Sequence, residues 1–290
     1  MKLAYYPGCV SLSTGKEMDR STRAVFSSLE IDLEELEDWN CCGATHVSNE
    51  MVATGLAARN MSQTELDIVT SCSICYSNLR AAAIKLEDVE VRAKVNAALE
   101  KEYRGAKIRH ALDVILEVLE KDDQGIVVPL KELKVAAYYG CLLSRPPGVY
   151  SPEYPVVLEK LIRILRADAV DFRRKTFCCG GPIFMPKEEA ANETAYRILK
   201  DAKEAGAEVI ITVCPLCQFM LDTKQRSVEQ RYGEEMGIPV LYVTQLVGIA
   251  LGLGPDDLGM DIIVVYPTTT KMHTLALIAA LPISKQEAAT

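Results

Sequence analysis

The sequence predicts an α/β protein made of two pseudo-symmetric repeats, each a small, mostly parallel sheet flanked by helices. Two observations carry this expectation. Strand-like apolar runs alternate with helix-length amphipathic stretches, the pattern of βα units with parallel sheets. In addition, all ten cysteines fall into two copies of one pattern, C…CCG…CxxC, and none is left over. The first copy is Cys9, Cys41-Cys42-Gly43 and Cys72-Ser73-Ile74-Cys75; the second is Cys141, Cys178-Cys179-Gly180 and Cys214-Pro215-Leu216-Cys217. The flanks repeat as well. Lys2-Leu3-Ala4-Tyr5-Tyr6-Pro7-Gly8 leads into Cys9 as Lys134-Val135-Ala136-Ala137-Tyr138-Tyr139-Gly140 leads into Cys141. Such internal self-similarity implies a duplicated unit with one centre in each half.

The elements follow in order. Residues 3–6 read as a short strand ending at Pro7-Gly8-Cys9. Residues 15–29 carry Met18, Thr22, Val25, Phe26 and Leu29 at helical spacing. Residues 33–39 lead extended into Cys41, 49–65 read as a helix, and 66–70 as a buried strand delivering Cys72. A helix over 77–85 follows the CxxC, and 88–120 reads as helical with a break near Gly105. In the second copy, 135–139 is a strand, 152–166 a helix and 169–172 extended. Residues 187–205 form a helix and 208–213 a strand. A helix over 218–232, a strand over 239–243 and a helix capped by Thr244 complete it. Charge, Gly125 and Pro129 mark the junction. The expected division is therefore 1–128 for the first repeat, 129–255 for the second and 256–290 for an irregular C-terminal tail.

A chain of 290 residues is long enough to bury a large core. Its net charge of −8 argues against nucleic acid as a partner. The N-terminus has no long apolar stretch before a cleavage site, which implies a cytoplasmic address and reduced thiols rather than structural disulfides. No apolar run is long enough to span a membrane; 275–283 is too short.

Reduced cysteines at this spacing suit metal. A CxxC turn presents two sulfurs on one side of a tight loop. Adjacent side chains in extended chain point opposite ways, so Cys41-Cys42 and Cys178-Cys179 need a sharp turn to face one centre. Gly43 and Gly180 supply the backbone for it. Five thiols exceed the four of a zinc site or an ordinary cubane cluster. One cysteine is then spare, or exchanges with a disulfide substrate, or belongs to a non-standard cluster. A pair of zinc sites stapling the fold, or an electron-relay module without catalysis, is the competing reading.

These two motifs, with Tyr138-Tyr139-Gly140-Cys141-Leu142-Leu143-Ser144-Arg145-Pro146-Pro147 and Phe177-Cys178-Cys179-Gly180-Gly181-Pro182, resemble the cysteine-rich CCG-domain family typified by the B subunits of methanogen heterodisulfide reductases. The resemblance covers about residues 1–255; the tail after Gly259 departs from it. It implies two noncubane 4Fe–4S clusters, one bound by Cys9, Cys41, Cys42, Cys72 and Cys75, the other by Cys141, Cys178, Cys179, Cys214 and Cys217. It implies an oxidoreductase subunit for methanogenesis that reduces the heterodisulfide of coenzyme M and coenzyme B to two thiols, the S–S bond lying between the clusters. Expected partners are a ferredoxin-like iron–sulfur subunit, a flavin-containing subunit and a hydrogenase or formate dehydrogenase module. Relatives with CCG pairs also serve fumarate, lactate or glycolate oxidoreductases. Many of those have lost a cysteine from one copy, whereas both copies are intact here.

No G-x-G-x-x-G follows a strand, so no flavin or nicotinamide site is expected on this chain. The substrate that the resemblance implies is anionic, and Arg145 is the expected clamp, set against an ordinary surface ion pair. Arg173-Arg174-Lys175 reads as a solvated charge run. His46 is a candidate proton donor, set against a structural histidine. Trp39 and the tyrosines before Cys9 and Cys141 are expected to pack around the centres.

Overall fold

The structure is a computed structural model that describes residues 1–44, 47–145 and 149–260. His46, Pro146-Pro147 and residues 261–290 of the expected tail lie outside the described residues. The first half runs β1 (Lys2–Tyr5), α1 (Lys16–Ser28), β2 (Asp32–Glu35), α2 (Glu50–Met61), β3 (Ile68–Thr70), α3 (Ser73–Lys85), α4 (Val89–Asn96), β4 (Ile108–His110) and α5 (Ala111–Lys121). The second runs β5 (Lys134–Tyr138), α6 (Gly140–Ser144), α7 (Val157–Ile164), β6 (Asp168–Val170), α8 (Glu188–Glu204), β7 (Val209–Thr212), α9 (Pro215–Gln218), α10 (Gln225–Tyr232), β8 (Val240–Tyr242) and α11 (Val243–Ala250).

The strands form two four-stranded sheets, ordered β2-β1-β3-β4 and β6-β5-β7-β8, with every pairing parallel. The central strands explain themselves. Ile68-Val69-Thr70 and Val209-Ile210-Ile211-Thr212 are buried along their whole length, as strands covered by helices on both faces must be. Helix α1 buries Met18, Ser21, Thr22, Val25 and Phe26, one stripe at helical spacing, and leaves its other side to solvent. Helix α2 starts at Asn49, whose side chain accepts from the amides of Met51 and Val52 at 3.0 and 3.2 Å.

Four sequence expectations are corrected. The stretch 88–120 is not one interrupted helix, because strand β4 lies between α4 and α5 and pairs Ile108 with Ile68. Three residues of strand are too few to show a period; only the neighbouring strand specifies them. The helices after the CxxC motifs begin at Ser73 and Pro215, not at 77 and 218. Cys72 and Cys214 are their extended N-cap residues, so the second cysteine of each motif sits in the first helical turn. The expected helix 218–232 is broken by a π turn at Phe219–Thr223. The last helix is entered from Tyr242, not Thr244, whose hydroxyl instead lies 2.7 Å from that of Ser21.

That contact joins the halves. Helix α1 packs on α11, and α3 packs on α6. The Ser73 amide donates to the Val213 carbonyl at 3.1 Å, so the two CxxC segments meet back to back. One apolar core, including Leu3, Val69, Leu112, Val135, Ile211 and Leu246, runs through both halves. A smaller one, with Ile198, Met220 and Val240, lies within the second. No helix among the described residues is long and apolar enough to cross a membrane.

The basic run before Cys178 is not a solvated face as a whole. The Lys175 ammonium is buried against Glu159 at 2.7 Å, and Glu159 also accepts from the Tyr139 hydroxyl. The Lys175 carbonyl accepts from the amides of Tyr139 and Gly140 at 2.9 and 3.1 Å, tying this segment to the approach to Cys141. Lys175→Met leaves the Glu159 carboxylate buried without its cation. It is expected to destabilise the fold by roughly 3–5 kcal/mol in chemical denaturation; a loss under about 1 kcal/mol would mean that Tyr139 alone satisfies Glu159.

Candidate metal centres

In a parallel sheet of order 2-1-3-4 the chain leaves the two central strands toward opposite sides, opening a crevice at their carboxyl ends. The cysteines occupy that crevice in both sheets. Cys9 opens a short 3₁₀ turn just past β1, and Cys72 follows β3. Cys141 lies in α6 just past β5, and Cys214 follows β7. The loops after the edge strands β2 and β6 bring in the Cys-Cys pairs.

The thiols form an open chain in the same order in each half. Cys9 touches Cys41, with sulfurs 3.7 Å apart. Hydrogen bonds then link Cys41 to Cys42, Cys42 to Cys75 and Cys75 to Cys72. In the second half they link Cys141 to Cys178, Cys178 to Cys179, Cys179 to Cys217 and Cys217 to Cys214. The outer members, Cys9 with Cys41 and Cys141 with Cys178, reach solvent, while the other six are buried.

The chain of sulfurs is electrostatically frustrated. The hydrogen bond from Cys75 lowers Cys42 to about 7, and that from Cys217 lowers Cys214 to about 7. Cys75 is pushed well up, first by its bond to Cys42, and Cys217 well up, first by its bond to Cys179 and then by that to Cys214. Burial and the neighbouring Cys41 raise Cys9 to about 11. Some thiols ionise only because others keep their protons, and a cationic group at the centre would release the rest. The donor set is sulfur alone, the set that iron–sulfur clusters take. Among the described residues no three His, Cys, Asp or Glu side chains are arranged to hold a single metal ion.

Three devices hold the sulfurs. Tyr6 and Tyr138, each three residues before the first cysteine of its motif, are fully buried. Their hydroxyls donate to the carbonyls of Asn40 and Phe177 at 2.7 Å, pinning the backbone just ahead of each Cys-Cys pair. The tyrosines therefore do more than pack. Trp39 stands edge-on to Tyr6 at 5.7 Å. Gly43 and Gly180 make the expected turn, with φ of 82° and 84°. A Cβ on Gly180 would come within 2.7 Å of the Ala191 Cα. The third device is a second glycine position that sequence reasoning missed. Gly8 and Gly140 also have positive φ, and a Cβ there would lie 2.8 Å from the Cys75 sulfur and 3.1 Å from the Cys217 sulfur. The signal was present in the repeated Gly-Cys step.

Hydrogen bonds from Cys141 and Cys179 do most to favour the Cys178 thiolate, and the exposed Arg145 adds its charge. With Glu153, Tyr154, Arg173, Thr176 and Phe177 it lines a cavity of 370 Å³ beside that cysteine. The basic run thus divides: Arg173 faces the cavity, Arg174 pairs with Asp201 at 3.2 Å, and Lys175 is structural.

The cysteine-rich CCG domain matches this chain twice, over residues 3–80 and 135–222. The chain is 34% identical over 272 residues to the 8-methylmenaquinol:fumarate reductase membrane anchor subunit of Wolinella succinogenes, covering 90% of this chain and 95% of that protein. It is 34% identical over 278 residues to the B subunit of the ferredoxin/F(420)H(2)-dependent CoB-CoM heterodisulfide reductase of Methanosarcina acetivorans, covering 90% and 92%. The B subunit of the ferredoxin:CoB-CoM heterodisulfide reductase of Methanosarcina mazei is 32% identical over the same shares. Among solved structures, a hypothetical protein from Helicobacter pylori shares the fold with a TM-score of 0.69 at 14% identity. That match covers 90% of this chain and 51% of the other, so the chain spans about half of it.

Gly8→Ala and Gly140→Ala test the crevice. Each adds a strained φ and crowds a buried sulfur. Each is expected to lower metal content in its own half while the other half stays loaded, read by metal analysis of anaerobically prepared protein. Full loading in both variants would show that the sulfurs have room to move.

Proposed function

This chain belongs to the cysteine-rich CCG-domain family, and we propose that it is the catalytic subunit of a reductase that splits the coenzyme M–coenzyme B disulfide into two thiols. The observation that carries the reading is the pair of complete five-thiol chains set back to back. Cys9, Cys41, Cys42, Cys72 and Cys75 would hold one noncubane 4Fe–4S cluster, and Cys141, Cys178, Cys179, Cys214 and Cys217 the other. When bound, the two clusters supply one electron each, the two that a disulfide needs.

The protein's own groups do the rest. The ends of the chains that reach solvent, Cys9–Cys41 and Cys141–Cys178, are where a substrate would meet each half. Arg145 and Arg173 offer two guanidinium groups beside Cys178 to an anionic substrate tail, and Tyr154 and Phe177 wall the same cavity. His46 is proposed as a proton donor from its place in the sequence, four residues after Cys42. Electrons would come from partner subunits: a ferredoxin-like iron–sulfur subunit, a flavin-containing subunit, and a hydrogenase or formate dehydrogenase module. A second reading follows from the Wolinella relative, which is named as part of a fumarate reductase and matches at the same 34% identity. There the two centres would pass electrons onward without breaking an S–S bond.

Anaerobically purified protein is expected to hold about eight irons and eight sulfides, and to oxidise a reduced viologen dye when given the mixed disulfide. Stoichiometric zinc would overturn the cluster assignment. Iron-loaded protein inert to the disulfide, but supporting fumarate reduction in its complex, would establish the second reading.

Arg145→Ala is expected to lose a charge-assisted contact of roughly 1.5–3 kcal/mol. Disulfide use at low concentration should fall about ten- to a hundredfold with iron content unchanged. Unaltered kinetics would return Arg145 to a surface role, and Arg173→Ala in the same assay would show whether its neighbour anchors the tail.

A further inference from the structure

We propose that the cavity between α2 and α3, beside Cys42, receives an aromatic side chain of a partner subunit, one flanked by lysine or arginine. The cavity measures 540 Å³, and Gly43, Val47, Ala53, Asn78, Ala81 and Lys85 are among the residues that line it. It shares no lining residue with the cavity beside Cys178.

The second half shows what a space in this position holds. The surroundings of the CCG turns correspond: a Cβ on Gly43 would meet Ala53 and Leu56, and a Cβ on Gly180 would meet Ala191 and Thr194 at the same spacing along α8. In the second half Phe184, five residues past Cys179, and Phe219, two residues past Cys217, meet edge to face with ring centres 5.7 Å apart. They join the CCG loop to the segment after the CxxC, and the Lys224 ammonium lies 4.5 and 5.5 Å from the two ring centres. The same steps from Cys42 and Cys75 reach Val47 and Ser77, which carry no ring. Small side chains such as Ala53 and Ala81 leave the space as a cavity, with Lys85 on its wall. An unfilled space of this kind forgoes the packing that interiors otherwise achieve, and a ring entering from outside restores it. The Lys85 ammonium, paired with Glu50, is placed to lie over such a ring as Lys224 lies over Phe184.

The surface around the cavity fits a polypeptide. Met51 and Val52 on α2, Ile84 on α3 and Val89 at the start of α4 are all exposed. Large apolar residues gathered at a concave surface mark an interface, and aromatic anchors in such pockets carry much of its energy. The chain just past Lys85 is acidic, with Glu87, Asp88 and Glu90 exposed. That charge draws an anchor with basic neighbours and repels one with acidic neighbours. The seat also adjoins the first centre, because the Asn78 side-chain amide on its wall donates to the Cys42 carbonyl. This docking rests on the reading above only for the existence of partner subunits and is independent of the substrate.

The test isolates the tagged full-length chain, anaerobically and iron-loaded, with the subunits produced alongside it. Ala81→Phe supplies the missing ring from an exposed position of α3. The wild-type chain is expected to hold a partner subunit in stoichiometric amount, less firmly as salt rises from about 0.1 to 1 M. Ala81→Phe should hold at least about tenfold less at unchanged iron content. The probe of the cavity itself is N-acetyl-4-fluorophenylalaninamide, whose fluorine resonance should broaden with the isolated wild-type chain and stay sharp with Ala81→Phe. Equal retention of the partner by both proteins, or a probe that does not distinguish them, overturns the docking. Should Ala81→Phe fail to load iron, the double variant Val52→Asp, Ile84→Asp changes only exposed positions, and undiminished retention there overturns it too. A wild-type dimer of this chain that Ala81→Phe splits would give the cavity to a second copy and overturn the partner subunit. A complex held through this cavity, yet inert to the mixed disulfide with reduced viologen, would sink the substrate reading and spare the docking.

Discussion

Crowding five sulfurs into the end of a narrow parallel sheet is the constraint on which this molecule is built. Thiols at hydrogen-bond distance resist joint ionisation, and the chain that carries them would relax apart if it were free. The surrounding structure is arranged against that relaxation. Tyr6 and Tyr138 clamp the carbonyls ahead of the Cys-Cys pairs. The glycines after those pairs permit the reversal, and the glycines before Cys9 and Cys141 leave room for a sulfur where any other residue would place carbon.

The two halves share this plan but not its details, and the differences lie around the sulfurs. The second half carries a buried Lys175–Glu159 pair beneath the approach to Cys141 and a pair of arginines beside Cys178. Near the first set, Lys85 is paired with Glu50. A duplicated scaffold with unequal surroundings can treat the two ends of an unsymmetrical substrate differently. The same scaffold would equally serve two electron-transfer steps in series, and relatives of both kinds match this chain to the same degree.

Much of this was legible in the sequence because the motifs are local. The order of the cysteines, the glycines of the CCG turns and the repeated strand before each first cysteine needed no third dimension. What stayed hidden depended on contacts across the chain. Strand β4 is three residues long and is defined by its pairing with β3. Lys175 belongs to a run of charges, and only the burial of Glu159 separates it from its neighbours. The role of Thr244 was misjudged because its partner, Ser21, lies at the far end of the chain.

The packing of α1 on α11 also sets an order of events during synthesis. Helix α1 leaves the ribosome long before α11, the last helix of the described residues. Until α11 is made, α1 lacks the helix that packs on it and Ser21 lacks its Thr244 partner, although α6 and Val213 already reach the first half. The seam between the halves is thus assembled in steps, from α3 on α6 to α1 on α11. Closure of the last helix over the first would complete the seam between the halves late in synthesis, while Cys9, Cys41, Cys141 and Cys178 still reach solvent.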